Sequence, residues 1–161
     1  MELNMNTDFI IKALDEKYFS QYLQMDEEQL AEVNGCWLTA DEKPGYPCRV
    51  TLQEAEVGEK ILLIHYPYHD VKSPYHATGP IFVRANKTMV ELAINEIPEI
   101  LQTRLLSVRA YDVNSMMVHA ETVQGPALED VIRNNFKNDQ VHYLQIHNGN
   151  PGCFNCSVFR A

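Results

Sequence analysis

The stretch from Arg104 to Phe159 constrains the fold more than any other part of the chain. Arg104–Tyr111 and Met116–Thr122 are rich in strand-forming residues and are joined by a short polar link, Asp112–Ser115, which predicts a β-hairpin. Gly125-Pro126 then opens a helix, with proline at its first position. Leu128, Val131, Ile132 and Phe136 recur at i, i+3, i+4 and i+8 and give that helix one apolar face. Val141–His147 and Cys153–Phe159, separated by the turn Asn148–Gly152, predict a second hairpin. A helix between two hairpins buries its face against their sheet. The expected class is α+β, with a mixed or mostly antiparallel sheet.

Upstream the pattern is more broken. Phe9–Leu14 predicts an edge strand, and Asp15–Leu23 a short amphipathic helix through Tyr18, Phe19 and Tyr22. A second short helix starts at Asp26-Glu27-Glu28, where the helix dipole favours acids, and stops at Asn34-Gly35. Asp41–Pro47 is a turn region. Ile61–Tyr66 is apolar on both faces, as a central strand would be, and Ile81–Arg84 predicts a short strand. Between them Pro67–Pro80 reads as a long loop, expected to cover a functional site. Pro98 opens a helical turn to Gln102. With 161 residues and no linker or repeat, one domain is expected over 1–161, an acidic helical part (1–48) packed on a sheet part (49–161).

Charge narrows the partners. The net charge is −9, and residues 1–48 hold ten of the 22 acids but three of the 13 bases. Such a chain repels phosphate backbones and anionic bilayers, so neither nucleic acid nor membrane is an expected partner. All six arginines lie beyond residue 48, where a small anion could be held. The start of the chain lacks the basic and apolar segments of a secretory leader. Four cysteines in a chain this long do not make a disulfide framework, so cytoplasmic residence with reduced thiols is expected.

In the last hairpin, pairing His147 with Cys153 places Gln145 opposite Asn155 and Tyr143 opposite Ser157 on a polar face. Ile146 with Phe154, Leu144 with Cys156 and His142 with Val158 then occupy an apolar one. Cys153 and Cys156 point to opposite faces in this register. A shared zinc is therefore not expected, and Cys156 becomes a small buried hydrophobe.

The chain also resembles the bacterial family catalogued as domain of unknown function 1203. The resemblance rests on Pro47-Cys48-Arg49, Ser73-Pro74-Tyr75, Gly79-Pro80-Ile81-Phe82-Val83-Arg84, Arg104-Leu105-Leu106-Ser107, Arg109-Ala110-Tyr111-Asp112, Met116-Met117-Val118, and His147-Asn148 with Gly152-Cys153-Phe154. It implies a one-domain bacterial protein whose recurring residues include Cys48, Arg49, Arg84, Tyr111, Asp112, His147, Asn148 and Cys153. It implies no activity. His76 stands where the family pattern has Arg, and Cys156 where Cys is not usual.

Three constellations carry possible chemistry. Cys153 beside His147, with Asp112 orienting the ring, has the composition of an activated thiol; the structural alternative is a turn histidine bonded to main-chain groups. Arg49, Arg84 and Arg109, with Tyr111 and Asn148, could hold an anion, because a guanidinium matches carboxylate or phosphate bidentately; the alternative is ion pairing with Glu54, Glu56, Asp112 or Glu121. His65, His69 and His76 follow no metal-ligand spacing, so no metal and no cofactor are expected. The resulting expectation is a binding protein or enzyme for a small anionic ligand near the 147–153 turn. A protein-interaction module using the acidic N-terminal face is the alternative.

Overall fold

A computed structural model describes residues 6–161. Glu2, part of the N-terminal acidity, lies outside them. In chain order the elements are β1 (Phe9–Lys12), α1 (Glu27–Glu32), β2 (Gly35–Thr39), β3 (Lys60–His69), β4 (Ala77–Arg84), α2 (Glu99–Gln102), β5 (Leu105–Tyr111), β6 (Met117–Gln124), α3 (Leu128–Phe136), β7 (Tyr143–Asn148) and β8 (Phe154–Arg160). The class is α+β. The strands form a five-stranded sheet of order β1-β8-β7-β5-β6 and a three-stranded sheet of order β2-β3-β4. Every strand pair is antiparallel, so the mixed sheet allowed by the sequence does not occur among the described residues. The single parallel contact among them is an isolated bridge between Cys48 and Phe82.

The chain divides into two compact units that do not meet at residue 48. The first comprises the chain up to Lys12, Val71–His76 and Leu92–Ala161; the second comprises Ala13–Asp70 and Ala77–Glu91. The expected N-terminal part thus contributes β1 to the first unit and α1 and β2 to the second. Its acids at α1 have a local explanation. Asp26 accepts from the Gln29 main chain and Gln29 from that of Asp26, a capping box.

In the first unit, alternation gives the sheet two unlike faces. Leu106, Val108, Ala110, Leu144, Ile146, Cys156, Val158, Phe9 and Ile11 are buried on one of them. Helix α3 contacts β5 and β6 and buries Leu128, Ile132 and Phe136. The turn before it is fixed by Gly125, where a Cβ would lie 2.2 Å from the Leu101 carbonyl oxygen.

In the second unit, β3 is central, as its two apolar faces require. Its core joins Phe19, Leu30, Cys48, Val50, Leu62, Ile64, Ile81 and Val83. The helix expected over 15–23 is two 3₁₀ segments, Glu16–Tyr18 and Ser20–Gln24, broken so that Phe19 turns inward against Tyr66.

Candidate functional site

The second face of the five-stranded sheet carries the polar side chains. Ser107 pairs with His147 and with Thr122, Arg109 with Gln145 and with Ala120, Tyr111 with Tyr143, and Gln145 with Ser157. Directly opposed residues share a face, so these side chains form one surface. Tyr111 and Tyr143 stack at 5.2 Å between ring centroids, and Tyr75 packs edge-on against Tyr111 at 6.1 Å. The Tyr143 hydroxyl donates to Ser115 Oγ at 2.9 Å, and burial pushes its pKa above the ordinary tyrosine value.

Half of the expected loop over 67–80 is strand, because β3 runs to His69 and β4 begins at Ala77. An irregularity between Tyr66 and His69 takes up Pro67, and Pro80 lies on β4, which ends its sheet. What remains is a short tip. Residues 71–76 of this tip belong to the first unit, where the Ser73 hydroxyl donates to the Ser115 carbonyl and Tyr75 covers Tyr111. The tip, not the whole segment, lies over one end of the polar face.

The last hairpin corrects the expected register. Tyr143 faces Phe159, Leu144 faces Val158, Gln145 faces Ser157 and Ile146 faces Cys156. That is a two-residue shift from the expected pairing. It keeps residues 143–146 and 156–159 on their expected faces, which is why alternation could not detect it. A bulge after Ile146 then brings Phe154, and not Cys153, opposite His147. In the first hairpin His119 stands opposite Ala110.

This geometry separates the imidazole from the carboxylate of the expected set, since His147 faces Ser107 while Asp112 follows Tyr111 at the other end of the β5–β7 pairing. His147 is fully buried. Its Nδ1 lies 3.0 Å from the Gly152 carbonyl oxygen, and its Nε2 lies 3.0 Å from Gln145 Oε1. The Asp112 carboxylate accepts the N–H groups of Asn114 at 2.8 Å and Met116 at 3.0 Å, shaping the β5–β6 turn. Cys153 is half-buried, and its carbonyl accepts from the Asn148 N–H. Asn148 alternates with His147, and its side chain accepts from Asn155 at 2.9 Å, so it is not part of the polar face.

The arginines have distinct environments. Arg84, in the second unit, is clamped by Glu59, with Nε to Oε2 at 2.9 Å and Nη2 to Oε1 at 2.6 Å. This pair holds the Glu59 carboxyl down at a pKa of about 2 and raises that of Arg84. Arg49, also in that unit, is buried and donates to the Pro47 carbonyl. Arg133 pairs with Asp8 and Glu129, Arg160 donates to the carbonyls of Phe136, Asn138 and Val141, and Arg104 is engaged as well. Arg109 differs. It is half-buried on the polar face, and among the described residues its guanidinium makes one long 3.4 Å contact, with Ser107 Oγ. Its neighbours on edge strand β6 are Ala120 and Thr122, small and exposed, so access is open from that side.

Two features escaped the sequence reading. One is the choice of Glu59 as partner for Arg84. Arg84 sits opposite Ile61, two residues beyond Glu59, so a paired β3–β4 hairpin would have signalled it. The other is Cys48, whose buried sulfur accepts N–H groups from Val50 and Thr51 at 3.4 Å and Arg84 at 3.3 Å. Of the loop histidines, His65 bonds Thr78 Oγ1 at 2.8 Å and His69 is buried. Among the described residues no three His, Cys, Asp or Glu side chains converge as a metal site.

A one-layer helix cover and a sheet with one apolar and one polar face define a small α+β protein with a half-buried arginine on its polar side. The family model described as "Protein of unknown function (DUF1203)" matches residues 45–160, and the chain belongs to that family. No curated protein and no solved structure matches the chain.

Proposed function

We propose that this protein binds a small organic anion through Arg109 on the polar sheet face, and that it acts as a binding module. The observation carrying this reading is the state of Arg109. A half-buried guanidinium offers five N–H donors in a fixed fork, and among the described residues one long hydroxyl contact engages them. The other five arginines are engaged by carboxylates, main-chain carbonyls or other partners. Ser107 and Thr122 add hydroxyls, and Tyr111 and Tyr143 add an apolar wall suited to the carbon part of a carboxylate. The engagement of both His147 nitrogens argues against a thiol-based enzyme.

The same reading includes a bacterial cytoplasmic setting without nucleic-acid or membrane partners. It is supported by the net charge of −9 and four free cysteines. Among the described residues no helix is long and apolar enough to cross a membrane. Isothermal titration against a panel of aliphatic and aromatic carboxylates and phosphate esters tests the proposal. At least one carboxylate should bind the native chain, and Arg109→Gln should lose that binding while keeping its fold. A panel member bound equally well by both chains would overturn the role of Arg109, and no binding across the panel would overturn the ligand class.

A further inference from the structure

We propose that Asn34 is a site of spontaneous covalent modification, converting through a cyclic imide to aspartate and isoaspartate. The sequence holds two Asn-Gly pairs, Asn34-Gly35 and Asn148-Gly149. Such pairs are prone to this reaction, because glycine has no Cβ to shield its main-chain nitrogen or to restrict the turn that ring closure needs. The structure treats the two pairs differently. Asn148 is buried, and its Oδ1 accepts from Asn155 at 2.9 Å. The Gly149 N–H donates to the Leu105 carbonyl at 2.8 Å, and the Asn148 carbonyl accepts from the Gly152 N–H at 3.1 Å. Both the attacking nitrogen and the amide it would attack are thus engaged.

Asn34 is exposed in the turn after α1, at a φ of 60°. Among the described residues its side chain has no hydrogen-bond partner. Alternation fixes where the Gly35 N–H points. The His65 N–H donates to the Asn34 carbonyl at 3.2 Å, and the Ala40 N–H to the Glu59 carbonyl at 2.9 Å. Residues 34, 36, 38 and 40 therefore take the hydrogen-bonded positions against β3, and Gly35 takes a non-bonded one. Its N–H turns away from β3, on a strand that ends its sheet. Turning the 34–35 peptide for ring closure breaks the single long bond from His65. The Gly35 nitrogen then attacks Asn34 Cγ. The new N–Cγ bond replaces Cγ–Nδ2, and Nδ2 leaves as ammonia with the Gly35 proton. Water opens the imide at either carbonyl. Cleavage at Cγ gives aspartate, and cleavage at the Asn34 main-chain carbonyl gives isoaspartate, with one more carbon in the main chain. Either product adds a negative charge, and isoaspartate displaces the carbonyl that binds His65 at the start of β2.

Peptide mapping by mass spectrometry tests this on the full-length chain, held folded in mildly alkaline buffer and sampled over time. Conversion at Asn34 should outpace conversion at Asn148 by about tenfold, since the second pair must open locally before it can react. In chain unfolded by guanidinium chloride the two rates should converge, because only the shared Asn-Gly sequence then acts. Asn34→Gly keeps the left-handed turn and should remove the early acidic species seen by ion exchange. Equal conversion at the two sites in the folded chain overturns the proposal. So does an Asn34 that stays intact while folded and converts once unfolded, or an early acidic species that persists in Asn34→Gly.

Discussion

Arg84 meets Glu59 through two parallel hydrogen bonds, 2.9 Å and 2.6 Å long, on side chains that are largely shielded from water. The contact lowers the Glu59 pKa from 4.5 to about 2. A depressed folded-state pKa contributes stability above the unfolded value, and this is lost as pH falls through the folded one. Chemical denaturation should therefore show an acid-side loss of stability between about pH 4.5 and 2. Glu59→Gln should remove this component. It should also cost about 2 kcal/mol at neutral pH, because a charged donor loses its partner. An unchanged acid limb in Glu59→Gln would count against the clamp.

Arg109 and Arg84 should respond oppositely to neutralisation. Arg84→Gln should destabilise by about 2 kcal/mol, since it strands a shielded carboxylate. Arg109→Gln should change stability by no more than about 0.5 kcal/mol, as it breaks no ion pair. Urea unfolding of both variants, monitored by fluorescence, compares them directly.

The cysteines should divide by exposure. Cys36 and Cys153 are half-buried, whereas Cys48 and Cys156 are buried. Mass spectrometry after brief alkylation of the native chain should find label at Cys36 and Cys153 first, and at all four only after unfolding. Cys156→Ala should cost roughly 1 kcal/mol, as a small buried group opposite Ile146 is removed. Early labelling of Cys156 would contradict its place in the apolar face.

His147→Ala should be the more damaging change in the last hairpin. It leaves the Gly152 carbonyl and the buried Gln145 amide without their ring partners and opens space beside Phe154. A loss of about 2–4 kcal/mol is expected. Thermal unfolding monitored by circular dichroism measures it, and a loss below about 0.5 kcal/mol would show that the ring does not brace the turn.

Much of the fold was legible because alternation and helical spacing depend on burial alone. Leu128, Ile132 and Phe136 gave α3, and the faces of β5, β6, β7 and β8 followed from their polar–apolar order. Register was not legible at the same level, because a shift of two residues leaves every side chain on the same face, and the bulge at His147 has no signature in composition. The long loop was misread because Pro67, Gly79 and Pro80 signal turns locally. Here Pro80 sits opposite His65 and Gly79 opposite Tyr66, on a strand that ends its sheet. Of the candidate site, the polar face was legible and the partners of its residues were not. Which arginine is clamped and which is open depends on contacts such as Glu59 with Arg84, set by tertiary pairing.

The pairing of Phe9–Lys12 with Ser157–Arg160 also bears on the time course of synthesis. Phe9 and Ile11 are fully buried in the finished sheet, yet the strand they pair with is made almost the whole chain later. At ordinary translation rates that interval is roughly ten to thirty seconds. During it these side chains have no native neighbour strand, and closing so long a loop is entropically slow. The five-stranded sheet can therefore be completed only after β8 has been synthesised, so its two ends in sequence are joined last.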